Sequence, residues 1–290
     1  MTFLAAFVVG ASLALAGAVL QSVLRNPLAE PYMLGMVGGG ALFAALATVL
    51  GLVSYGVFVL PVASFLGSCF SLALVCVVAW FAARARLLNG SDAALRSSSS
   101  TIVVAGFVVG GFMGSLDMVV MSYADSEDFA RLSKWLYGTL SAVQLPHLLL
   151  GVVVLALVMS VLFAFRRELN VMELGHDEAE CLGVNTRRAM LVVIGSVALA
   201  TSVSVALAGA VGFIGLVVPH VVRRLMGPKM EKLLPFSALL GGLSLVLAQA
   251  LVTSLPGAGK VGVGVICAIF GAPFVLFLLS SRRNGEGRDV

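Results

Sequence analysis

FLAAFVVGASLALAGAVLQSVL, residues 3–24, runs for 22 positions without a charged side chain. Three environments can hold such a run: the core of a soluble protein, a cleaved leader, or a lipid bilayer. A bilayer helix needs roughly 20 mostly apolar residues, which fits. A leader carries a basic region before its apolar run and a small-residue cleavage site after it. Only Met1 and Thr2 precede this run, and GAVLQSVLRNP at 17–27 is a poor cleavage site. Composition disposes of the soluble core. Of 290 residues, 60% are hydrophobic and 11% are charged, against about 25% charged in a soluble domain. Mean hydropathy is +1.09. Lipid is the solvent.

Further low-charge runs lie near 32–52, 57–83, 101–122, 145–165, 190–208, 211–223, 234–254 and 261–281. They predict an all-α polytopic membrane protein with about nine transmembrane helices, forming one membrane domain over 1–290. The stretch 190–223 is too short for two full spans and is interrupted by Gly209, Gly212 and Gly215. A broken or short helix pair is predicted there, since irregular backbone is tolerated where protein or a watery cavity surrounds it. Alternating the spans puts fifteen Lys and Arg residues on one side and only Arg131, Lys134 and Lys260 on the other. The basic side is cytoplasmic by the positive-inside rule, so the N-terminus is external and the loop 166–188 is internal. The net charge of +4 is therefore a topology signal and implies no nucleic acid.

Little covalent chemistry is available. The GAGK of SLPGAGKVG (254–262) ends like a phosphate-binding loop, which requires G-x-x-x-x-G-K-[ST]. Ser254 stands where the first glycine belongs, Val261 where the hydroxyl belongs, and Lys260 is external. No intrinsic ATP hydrolysis is expected. Cys69, Cys76, Cys181 and Cys267 show no metal spacing, and His147, His176 and His220 form no cluster. No metal site is expected, and none of these groups suits a redox cofactor. Asp117 is shallow in its span, either reaching the interface or marking a proton or cation site. Glycines gather in GMVGGGALFAA, VAGFVVGGFMGS, AGAVGFIG and VGVGVICAIFGAPF. They suit tight helix packing, or else a pathway wall of backbone and small side chains for a bulky solute. RSSSST (96–101) is a polar linker or the inner mouth of a pore. The loop RRELNVMELGHDEAECLGVNTRR (166–188), read as helix–Gly–helix, is either a solvated connector or a docking element for a soluble partner.

The motifs NPLAEPYMLGMVGGGALFAA (26–45), LGHDEAECLGVNTRR (174–188), VALAGAVGFIGLVVPHVVRRLMGP (205–228), LLPFSALLGG (233–242) and GAPFVLFLL (271–279) occur in this order. From about residue 5 to 283 they resemble the membrane permeases of ATP-binding-cassette (ABC) importers for vitamin B12, ferric siderophores and haem. The resemblance implies a permease in the bacterial inner membrane, working as a homodimer or with a close paralogue. It also implies two cytoplasmic ATPase subunits, which use the ATP and Mg, and a periplasmic or lipid-anchored binding protein. This chain would bind no cofactor itself. Leu174, Gly175, Glu178, Ala179, Leu182, Gly183 and Val184 would seat against the ATPase. Asn26, Leu28, Ser99 and Ser100 would narrow the cytoplasmic mouth.

Two departures from the family pattern stand out. Members usually have ten spans, and the first has no counterpart after Met1, so an upstream extension of about 40–60 residues with one more span is expected. VGVG at 261–264 stands where LPxG is common, and Thr253 where a basic residue helps dock the binding protein. Lys260 is the nearby candidate for that contact. An ion-coupled secondary transporter would want embedded acids or discontinuous-helix ion sites, and Asp117 alone offers itself. Zinc or manganese permeases share the architecture, but the quoted motifs fit the chelate group better.

Overall fold

Lipid-embedded backbone must satisfy its own hydrogen bonds, and helices do so within one segment. A computed structural model describes residues 1–88, 98–140, 143–255 and 261–283, and there the chain is helical with no strand. Twelve α-helices follow in order: α1 Thr2–Val23, α2 Met36–Val49, α3 Val59–Leu88, α4 Ser98–Met121, α5 Ser126–Leu136, α6 Leu145–Ala164, α7 Arg166–Met172, α8 His176–Cys181, α9 Thr186–Ala208, α10 Ile214–Met226, α11 Met230–Ser254 and α12 Val263–Arg283. Six of them (α1, α3, α4, α6, α9 and α11) have the length and apolarity to cross a bilayer, and α12 has 21 residues.

Helix α1 is the hub. It is apolar all round and buried along 83% of its most apolar stretch, packing against α6, α9, α10 and α11. Between apolar helices in lipid the attraction comes from close approach, which small residues permit. Gly10 lies against the Gly241 carbonyl of α11, and Gly17 against Gly215 of α10. A Cβ at either position would collide with the facing backbone. The packing reading of glycine holds at these crossings.

The other two expected spans are half-length. Residues 31–34 form a 3-10 turn, Gly35 follows at φ +71, and α2 keeps only 14 residues. Helix α10 has 13 residues and starts after Phe213, which sits at φ +69. At 1.5 Å per residue each reaches about 20 Å, short of a hydrocarbon core of roughly 30 Å. The run 32–52 therefore does not form one straight span, because Gly35 turns the chain before the helix starts. The interruption predicted within 190–223 is present, with Gly209 at φ +70 ending α9.

The charges separate as the topology requires. Arg166, Arg167, Arg187, Arg188, Arg223 and Arg224 lie around α7 and α8, beside the C-terminal ends of α1 and α10. After α4 the acidic stretch 125–128 opens a further short helix. Asp125 accepts the N–H groups of Glu127 (3.0 Å) and Asp128 (2.8 Å), capping α5. Arg131 pairs with both acids, and Leu132 and Trp135 are buried beneath.

Candidate functional site

The last turn of α1 leads into a tight bend. Arg25 takes φ +49, and the Asn26 N–H donates to the Gln21 carbonyl. Asn26 Oδ1 accepts the Leu28 N–H at 3.0 Å, a side-chain turn that fixes residues 26–28. Asn26 and Leu28 are both half-buried. Ser99 and Ser100 occupy the first turn of α4, and their side chains lie outside the described residues.

From this bend the chain runs back into the bundle. Glu30 is buried and accepts the backbone N–H of Phe213, in the break between α9 and α10. Pro31 packs against Gly215. Two recessed ends thus meet inside the protein: the turn before α2 and the start of α10. The sequence reading did not single out Glu30. Its signal was there, since an acid inside an otherwise apolar re-entrant stretch needs a buried donor.

A cavity of about 830 Å³ opens beside this junction, walled by the turn before α2, by α2, α4 and α5, and by Ala210. Six glycines line it (35, 38, 106, 110, 111 and 114), and they divide by role. Gly38 abuts the Gly110 carbonyl, and Gly106 abuts that of Met33, which draws α2, its preceding turn and α4 together. Gly111 and Gly114 have nothing within 4 Å of where a Cβ would sit; they face open space. The packing reading holds at Gly38 and Gly106, whereas Gly111 and Gly114 leave the cavity open. Among the described lining residues Asp117 is the one acid, and no Lys, Arg or His joins it. Asp117 is 5% exposed. A smaller cavity of about 390 Å³, shared through Tyr32, Met33, Leu136 and Ala210, reaches Glu30.

At the basic end, α7 and α8 form a compact knob. Gly175 lies at φ +141 and Gly183 at φ +81, conformations that favour glycine, so the helix–Gly–helix reading is met by local geometry. Ala179 is fully buried, whereas Leu174 is 56% and Leu182 is 63% exposed. Glu178 and Gly183 are exposed and Val184 half-buried. Beside Gly183 a cavity of about 500 Å³ lies between Phe165, Val171, Val184 and Arg188.

At the opposite end a recess of about 360 Å³ is lined by Met1, Lys134, Gln249, Thr253 and Val261, among others. Lys260 lies outside the described residues. The four cysteines are free, and no group of three metal-ligating side chains occurs among the described residues.

The sequence pattern of the FecCD transport family matches residues 1–281. The cobalamin import system permease of Halobacterium salinarum is 35% identical, over 94% of this chain and 70% of its own. The hemin transport system permease of Yersinia pestis is 33% identical over 97% and 81%, and the Fe(3+)-citrate import permease of Bacillus subtilis 34% over 94% and 78%. A solved metal-chelate type ABC transporter, inward-facing, superposes with a TM-score of 0.84 at 28% identity, covering 97% of this chain and 85% of that one. The PsaBC structure from Streptococcus pneumoniae, at 18% identity and TM-score 0.64, shares the fold.

Proposed function

The chain belongs to the FecCD transport family, and from that premise we propose that it is the permease through which an ABC importer moves an iron-siderophore, haem or B12-type chelate inward. It is a multi-pass membrane subunit; the energy would come from a separate pair of cytoplasmic ATPases using ATP and Mg. The observation that carries the substrate class is the wall of the 830 Å³ cavity. It offers glycine, methionine and aromatic surface, and no cluster of carboxylates that would strip and coordinate a bare ion. A bulky ligand that buries its metal within itself needs such a surface. A zinc or manganese ion needs ligands.

The remaining roles follow the same reading. Leu174 and Leu182 give the α7–α8 knob an apolar tip, with Glu178 and Gly183 beside them, as a seat for the ATPase. Ala179 and Gly175 support that seat from inside. Asn26 and Leu28 would narrow the cytoplasmic mouth together with Ser99 and Ser100. A binding protein would dock at the opposite end, where Lys134 and Thr253 line a recess and Lys260 is the basic residue nearest to Thr253 in sequence.

The test is reconstitution. The chain, co-expressed with its ATPase and binding protein, is purified and placed in vesicles, and uptake of cobalamin, haem and a ferric hydroxamate is followed with ATP. Import of one of them, dependent on ATP, is expected. Import of free zinc or manganese instead, or uptake driven by an ion gradient without ATP, would refute the proposal.

A further inference from the structure

Three side chains far apart in sequence meet where the α7–α8 knob joins the spans. Arg223, in the last turn of α10, places Nη1 2.5 Å from Glu173 Oε1 and donates from Nη2 to Ser22 Oγ at 2.8 Å. Ser22 Oγ in turn lies 2.6 Å from Glu173 Oε1. The hydroxyl has one proton, and the Ala18 carbonyl at 3.1 Å competes for it. The carboxylate is nearer and charged, so it is the better acceptor. Ser22 is 2% exposed, and the Arg223 and Glu173 side chains are 27% and 21% exposed. An ion pair so withdrawn from water is screened far less than a surface pair.

The location gives the junction its meaning. Glu173 ends α7 and Ser22 is in the last turn of α1, four residues before Asn26. A second contact runs beside it, for the space over Gly175 is closed by Glu178 Oε2 and the Arg25 guanidinium. Residues 173 and 175 of the knob thus touch residues 22 and 25, directly before the bend at 26–28. The same turn of α1 also holds the start of α10, through Gln21 Nε2 to the carbonyls of Gly215 (3.2 Å) and Leu216 (3.1 Å). Farther along, Glu30 holds Phe213, beside the cavities. Half-span α10 is therefore fastened at one end to the knob and at the other to the cavity wall.

We propose that the Ser22–Glu173–Arg223 junction is a positioning device that carries displacement of the α7–α8 knob into the 26–28 bend and half-span α10. It rests on the importer reading above and adds the residues through which ATP-driven movement reaches the pathway. Coupling between distant sites is carried by packed side chains and hydrogen-bond or salt-bridge networks, and substitutions along them change its strength.

The experiment uses the complete importer in vesicles, with ATP hydrolysis and uptake measured on the same preparation. The probe is whichever of cobalamin, haem and a ferric hydroxamate the unaltered complex imports. Glu173→Gln and Arg223→Gln should leave ATP hydrolysis within about two-fold while lowering uptake per ATP by roughly 3- to 30-fold. Reversing the pair, with Glu173→Arg and Arg223→Glu together, should recover most of that loss. Ser22→Ala removes only a hydroxyl from a packed site, so it reads the junction even where a charge variant fails to insert; a smaller loss of the same kind is expected. Unchanged uptake per ATP in the variants overturns the proposal. So does a proportional fall of hydrolysis and uptake, which would mark the junction as serving assembly alone. An unaltered complex that imports none of the probes sinks the importer reading, a result distinct from both.

Discussion

Gly17 and Gly114 are both glycines in membrane helices, and the structure gives them opposite duties. A Cβ at Gly17 would land on the Gly215 carbonyl, whereas one at Gly114 would meet nothing within 4 Å. Gly17→Val should force α1 and α10 apart, costing about 3 kcal/mol, visible as poor yield and a lowered midpoint of thermal unfolding in detergent. Gly114→Phe should leave yield and unfolding unchanged while filling part of the cavity, so uptake falls and ATPase co-purification does not. Equal behaviour of the two variants would show that Gly114 also packs. Asp117 extends the contrast. As the one acid among the described residues of the wall, it would disfavour an anionic ligand there by charge. Asp117→Asn should therefore raise uptake of an anionic chelate relative to a neutral one, measured as a ratio in one vesicle preparation.

At the scale of elements, α7 is only seven residues long, too short to be stable alone. It is held by what it touches. Asn170 Oδ1 accepts the Met230 N–H at 2.8 Å, and its Nδ2 donates to Glu231. A side chain of α7 thus satisfies an orphan donor at the start of α11. Asn170→Ala should cost about 1 kcal/mol, as loss of a helix cap does, and loosen α7 from α11. The measurement is faster hydrogen exchange over 166–175 with the spans unaffected. Gly183→Pro should abolish ATPase co-purification and uptake while insertion persists, because its φ of +81 is closed to proline. Normal co-purification would mean that the seat lies elsewhere.

The elements also show what a sequence can reveal. Long uncharged runs are legible because lipid demands them, and the segregation of Lys and Arg is legible because it is a count. The half-spans were partly legible. Glycines at 209, 212 and 215 announced the break before α10, but Gly35 was hidden within a continuous apolar run. Helix α5 was missed as a helix, although Asp125 before Ser126-Glu127-Asp128 is a capping signal. The Ser22–Glu173–Arg223 meeting was not legible at all. Its members are separated by 151 and 50 residues, and no local pattern pairs a serine at one helix end with an arginine at another. Asn26 and Leu28 were singled out by resemblance as part of the cytoplasmic mouth; the bend there and the hydrogen bond that shapes it came only with the structure.

At the scale of the whole molecule, α4 poses the remaining question. It has the least buried apolar stretch of the six spans, at 28%, with Phe107 81% and Met118 75% exposed. Both residues also line the 830 Å³ cavity. The cavity is therefore open on one side, between α4 and whatever lies next to it. A wall of lipid would let a chelate escape sideways, so a pathway here requires protein on that side. A second copy of this chain, related by two-fold symmetry, would bring its own α4 to the same axis and close the wall with the same residues. Phe107→Cys, in a chain whose four native cysteines are replaced by serine or alanine, should then crosslink to its partner copy in membranes with a short bifunctional thiol reagent. Leu149→Cys, at a residue of α6 that is 56% exposed, should not. Crosslinking at both positions would indicate random collision, and crosslinking at neither would place the translocation axis away from α4.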